Sequence, residues 1–177
     1  MTSSSHVAVV GLMGVGKTTL ATLLAERLDR PLADGDEELV RFVGVHGVSV
    51  AATLGVAALH QIERAIVLAA LARPTPQVIA PAASVVEDDL IRSLLVAIPI
   101  VHVVADVETV HARQRHGAHR RHMELDELRT IDERRAPFFA EIEDVVVSSD
   151  HPIEAMVAQA LDGLRSSFEI VPTAHTT

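Results

Sequence analysis

The sequence predicts an α/β fold: one parallel sheet with helices packed on both of its faces. Three observations predict it. Short β-branched runs alternate with longer stretches of helical periodicity, the order that a parallel sheet with crossover helices requires. A glycine-rich turn joins the first such run to the first such stretch. The 177 residues, 49% of them hydrophobic, contain no linker or internal repeat, so they predict one domain with a sizeable core.

The elements follow in order. Val7-Ala8-Val9-Val10 is wholly apolar and reads as a buried strand. Residues 19–28 read as a helix with Leu20, Leu23, Leu24 and Leu28 on one face. Residues 31–34 are a short extended segment that ends in an acid. Residues 37–43, 48–54 and 56–73 read as helices punctuated by Gly44, Gly47 and Gly55. Residues 77–80, between prolines, form the third strand, and residues 87–96 a helix. Residues 98–104 are β-branched enough for a central strand. A helix over 107–115 leads into a polar segment rich in His and Arg. Residues 125–142 are helical with an interruption at Pro137. Residues 145–148 make a fifth strand and 152–164 the last helix, with 167–177 a loose tail. In such a sheet, ligands bind beyond the carboxyl ends of the strands.

Composition excludes several function classes. The formal charge of −9 disfavours non-specific nucleic-acid binding. With no Trp, no Tyr and four Phe, base-stacking platforms are not expected. No apolar run is long enough to span a bilayer, and the first residues lack the pattern of a signal peptide. Zero cysteines exclude disulfides and thiolate chemistry. The expectation is a cytoplasmic monomer with neither nucleic-acid nor membrane partners.

The glycine turn carries the chemistry. Gly11-Leu12-Met13-Gly14-Val15-Gly16-Lys17-Thr18 fits G-x-x-x-x-G-K-[ST], the phosphate-binding P-loop, and sits between strand and helix as that motif must. An ordinary glycine-rich turn would not need the full motif. The fold thereby narrows to a P-loop NTPase-type three-layer sandwich, with a five-stranded parallel sheet and a short lid. Gly14, Val15, Gly16, Lys17, Thr18 and Thr19 form the nucleotide-binding set, their backbone N–H groups converging on phosphate oxygens. Lys17 would reach the β- and γ-phosphates of ATP, and the Thr18 hydroxyl would ligate Mg²⁺.

Three further features surround it. Asp34-Gly35-Asp36 follows the second strand, where a carboxylate supports Mg²⁺ or accepts a proton from a substrate hydroxyl; a helix N-cap is the plain alternative. Arg135, in Arg135-Ala136-Pro137-Phe138-Phe139, would grip a carboxylate; a surface pair of Arg134 or Arg135 with Glu133 or Glu141 is its plain alternative. Arg113, Arg115, Gly117, Arg120 and Arg121 mark a lid at about 114–124 that would bring positive charge over the transferring phosphoryl group. His111, His116, His119 and His122 in the same region lack carboxylate support, which argues against a metal site there.

The order of these parts resembles the shikimate kinase family over residues 6–164. Leu32-Ala33-Asp34-Gly35-Asp36 falls where that family has D-x-D. Residues 55–63 fall on G-E-x-x-F-R-x-x-E, and Arg135 to Phe139 on R-x-P-L-Y. The resemblance implies one kinase domain over 1–177, with ATP, Mg²⁺ and a small hydroxylated acid as its ligands. It implies that Lys17 binds ATP, Thr18 and Asp34 serve the metal, and Asp36 binds the acceptor and acts as base. Arg135 would pair with the acceptor's carboxylate, Arg120 or Arg121 would be the lid arginine, and Arg113 would lie against adenine.

The acceptor side departs from the family pattern. His60 stands where the family has a carboxylate-binding arginine, Pro81-Ala82-Ala83 where it has three glycines, and Val56 where it has an acid. A neutral imidazole lacks the bidentate grip of a guanidinium, and Pro81 has no N–H to offer. His60 and Ala82 would nonetheless line the acceptor site. Three functions remain open: a shikimate kinase, a kinase with another hydroxylated acceptor, and a nucleotide-binding pseudoenzyme.

Overall fold

The computed structural model describes residues 5–114 and 123–168. Its five strands are β1 (Val7–Val10), β2 (Leu32–Asp34), β3 (Val78–Ala80), β4 (Ile100–Val104) and β5 (Val145–Ser148). All pair in parallel, in the order β2-β3-β1-β4-β5. The wholly apolar β1 takes the centre, where both faces are covered and every residue is buried. Ala8 aligns with Ile79 on one side and Ile100 on the other. Asp34 aligns with Ala80, so the β2 and β3 ends are level. The strand order reverses at β1, which opens a crevice at its carboxyl end.

Around the sheet lie α1 (Lys17–Leu28), α2 (Gly35–Val43), α3 (Gly47–Leu54), α4 (Val56–Leu71), α5 (Asp89–Leu95), α6 (Val107–Gln114), α7 (Leu125–Ile142) and α8 (Ile153–Phe168). Leu20, Leu24 and Leu28 of α1 are buried in the core, each contributing about 1.5–3 kcal/mol of apolar transfer. The interior is aliphatic: Phe139 is the one aromatic ring among the largest fully buried side chains of the described residues. Phe42, near the end of α2, is 76% exposed. No helix among the described residues is long and apolar enough to cross a membrane.

Several element ends differ from the sequence expectation for identifiable reasons. α1 starts inside the P-loop because Gly16 adopts a left-handed conformation as N-cap and its carbonyl accepts from the Leu20 N–H at 3.1 Å. The helix expected over 87–96 begins at Asp89 as α5, because the Asp88 carboxylate caps the Ile91 N–H at 3.0 Å, and a 3₁₀ turn (Ala83–Glu87) precedes it. α7 runs through Pro137 without a break. The proline forgoes one helical N–H, and the burial of Leu128, Arg135, Phe139 and Ile142 on either side holds the helix together. α8 continues to Phe168, which packs against the core, so residues 167 and 168 are helical rather than part of a tail. Residues 169–177 lie outside the described residues.

Candidate active site

The P-loop forms as its glycines require. Gly14 and Gly16 have φ of 82° and 110°, a region that side-chain-bearing residues rarely adopt. Between them Val15 is buried and anchors the loop to the core. The Lys17 ammonium donates to the Leu12 carbonyl at 2.9 Å, so it lies along the loop it serves. Thr19 is exposed two residues further on.

Thr18 and Asp34 meet across the strand ends. The Thr18 hydroxyl donates to Asp34 Oδ2 at 2.8 Å. Asp34 Oδ1 accepts from the N–H groups of Asp36 and Glu37 at 3.0 and 3.2 Å, capping α2. The two readings of Asp34, helix cap and metal-side carboxylate, are therefore compatible: each uses a different oxygen. A hydroxyl and a carboxylate beside a P-loop are oxygen donors of the kind Mg²⁺ takes. Among the described residues no group of three or more His, Cys, Asp or Glu could hold a metal ion.

Arg113 of α6 bridges the P-loop to the end of β5. Its Nη1 donates to Ser149 Oγ at 2.7 Å and to the Val15 carbonyl at 3.4 Å, and its Nη2 to the Ser149 carbonyl at 3.0 Å. Arg120 and Arg121, and most of the expected lid, lie outside the described residues. Met123, the first described residue after position 122, is buried in the core.

The residues expected on the acceptor side, and the acids beside them, come from four elements. Asp36 stands in the first turn of α2, His60 and Glu63 on α4, and Glu87 at the end of the 3₁₀ turn. Arg135 is on α7 and only 3% exposed. Gly35 lets α2 begin against the Pro81-Ala82 turn: a Cβ on it would lie 3.1 Å from the Ala82 nitrogen and 3.2 Å from the Ala80 carbonyl oxygen. Ala82 has φ −57°, an ordinary value, so alanine replaces glycine here without backbone strain.

Charge organises this side. Arg135 Nε donates to Glu87 Oε1 at 2.6 Å, and Arg134 Nη2 donates to the same oxygen at 3.0 Å. Neither arginine takes the Glu133 or Glu141 partner considered from sequence; Glu141 instead accepts from Arg92 Nε at 3.0 Å. Arg135 Nη1 is buried with no hydrogen-bond partner among the described residues. Burial opposes ionisation of Glu87, but the Arg135 bond and both arginine charges outweigh it and hold its carboxyl below the usual range. Burial, then the charge of Arg135, lowers His60, which leaves a neutral imidazole. Burial pushes the Glu63 carboxyl up; the Ser84 hydroxyl, which donates to it, works the other way, and the Asp36 charge adds to the rise. The charges of Arg135 and Lys17 are felt at Glu63 too and work against the rise. Glu87, Ser84 and Ser149 had no mark in the sequence, since each reaches the site only through packing.

The arrangement has counterparts among known proteins. The family model for shikimate kinase matches residues 13–165. The chain belongs to the shikimate kinase family. The match runs from within the P-loop to α8, so it takes in both sides of the cleft. The shikimate kinase of Symbiobacterium thermophilum is 29% identical over 93% of this chain and 98% of its own length. That of Streptomyces coelicolor is 31% identical over 89% of this chain and 94% of its own. A solved shikimate kinase from Acinetobacter baumannii, in complex with shikimate, superposes with a TM-score of 0.83 at 23% identity and covers 94% of each chain, a likeness of fold. As a member of the shikimate kinase family, the protein is a small-molecule kinase.

Proposed function

We propose that this kinase transfers the γ-phosphoryl group of ATP to a hydroxyl of shikimate or a closely similar hydroxylated acid. The observation that carries the reading is Arg135: a buried guanidinium with an unpaired Nη1, whose charge acts on Glu63 together with those of Asp36 and Lys17. An acceptor carboxylate would satisfy that donor, and His60 would add a neutral hydrogen bond in place of a second guanidinium.

The roles follow from position. Backbone N–H groups of residues 14–19 bind the phosphates, and Lys17 leaves Leu12 to neutralise charge on the transferring group. Thr18 and Asp34 would hold Mg²⁺, which when bound offsets phosphate charge. Asp36 orients the acceptor hydroxyl and takes its proton. Arg113 lies at the nucleotide edge, and Arg120 or Arg121 completes the charge around the phosphoryl group. Ala82 lines the acceptor pocket. The same reading expects a cytoplasmic monomer.

A different hydroxylated acceptor is the second reading, favoured by His60 and by the missing N–H of Pro81. ADP release from Mg·ATP, with and without shikimate, separates the two. Strong shikimate-dependent release supports the first reading; release only with other hydroxylated acceptors supports the second. Nucleotide binding without release for any acceptor would leave a pseudoenzyme.

A further inference from the structure

Arg135 is held by the protein's own carboxylate on one side and is unpaired on the other. Its Nε donates to Glu87 Oε1 at 2.6 Å, whereas Nη1 is buried with no partner among the described residues. A carboxylate grips a guanidinium best through two parallel N–H···O bonds, and here the Nε edge is already taken. Arg134 shares the same Glu87 oxygen from the more exposed side, at 3.0 Å. The charges of this pair act on His60, which burial lowers, and those of Arg135 and Asp36 act on Glu63. Glu87 thus offsets the charge of Arg135 inside the acceptor site, and no second buried cation restores it among the acceptor-side residues described.

We propose that Glu87 is a specificity-determining residue: as an internal carboxylate on Arg135, it weakens the preference for an anionic acceptor over a neutral hydroxylated one. The site would accept uncharged polyhydroxylated rings alongside acids of the same shape. The inference rests on the acceptor reading above and names what tunes it.

Glu87→Gln tests it, because glutamine keeps an oxygen for Arg135 Nε and removes the charge. Binding and kcat/KM are measured for shikimate and for its methyl ester, which keeps the ring and hydroxyls without the charge. The expected result is an acid-to-ester ratio of kcat/KM that rises about tenfold in Glu87→Gln, through a lower KM for shikimate, with the ester nearly unchanged. Glu87→Asp, which keeps the charge, should stay near the wild-type ratio. An unchanged or lower ratio in Glu87→Gln overturns the inference and makes Glu87 a support for Arg135. Equal rises in Glu87→Gln and Glu87→Asp overturn it too. Should Glu87→Gln fail to fold, Arg134→Gln at the exposed partner serves instead: it frees Glu87 to act on Arg135 alone, so the ratio should fall, and a rise or no change overturns the inference. Shikimate turnover with an unmoved ratio defeats the inference alone. Absence of both binding and turnover of shikimate in wild type and Glu87→Gln defeats the acceptor reading and the inference with it.

Discussion

The two oxygens of Asp34 serve different partners: Oδ1 caps α2 and Oδ2 takes the Thr18 hydroxyl. A single carboxylate therefore sets both the start of a helix and the geometry beside the P-loop. Lys17 lies one residue away on the same turn. Lys17→Ala is expected to lower turnover on the order of 10²–10³-fold, since it removes a fixed charge from the transferring group; unchanged ADP release would refute the P-loop assignment. Asp36→Asn should abolish turnover while nucleotide affinity, followed by titration, stays near wild type. Lost nucleotide affinity would instead place Asp36 on the phosphate side. At this scale the sequence was most legible where a motif imposes spacing, since the glycine turn forms and brings Thr18 to Asp34. Glu87 was illegible because it joins Arg135 across 48 positions of chain, and nothing local distinguishes it from any acid at the end of a turn.

Elements were legible where hydrophobic pattern and caps agree, and less so where packing overrides them. α7 is the clearest override: Pro137 argues for a break, but buried side chains on both sides keep the helix whole. Gly163 in α8 is a second. Glycine is a poor helix residue, and replacing it with alanine in an open helix gains up to about 1 kcal/mol. Here a Cβ would lie 2.6 Å from Val145 Cγ1 and 2.8 Å from Cγ2, on a buried and stiff β-branched side chain of β5. Gly163→Ala is therefore expected to destabilise by about 1–3 kcal/mol in chemical denaturation. The double variant Gly163→Ala with Val145→Ala should recover part of the loss; a stabilising single substitution would show that α8 is free to shift.

For the whole molecule, the number of strands was readable and their order was not, because crossovers rather than local sequence set which strands adjoin. Electrostatics also acts at this scale. Burial lowers His6, His60 and His102, with the Glu143 bond opposing it at His102. The unfolded chain then binds protons that the folded chain refuses, so each histidine removes stability as pH falls below about 6.5. The raised carboxyls of Glu63, Asp132 and Asp144 act with the opposite sign, since the folded chain holds their protons more tightly. The test is thus a difference: between about pH 7.5 and 5.5 the melting temperature of His102→Gln should fall less than that of wild type. Parallel falls would show that His102 ionises as freely in the fold as outside it.

The aliphatic interior has an optical consequence. With no Trp and no Tyr, the folded protein is nearly silent in near-ultraviolet fluorescence. Phe42 stands 76% exposed on the helix that Asp34 caps, where a larger ring displaces nothing from the core. Phe42→Trp would install a lone emitter on the helix whose first turn carries Asp36, and its signal would be read without a background to subtract.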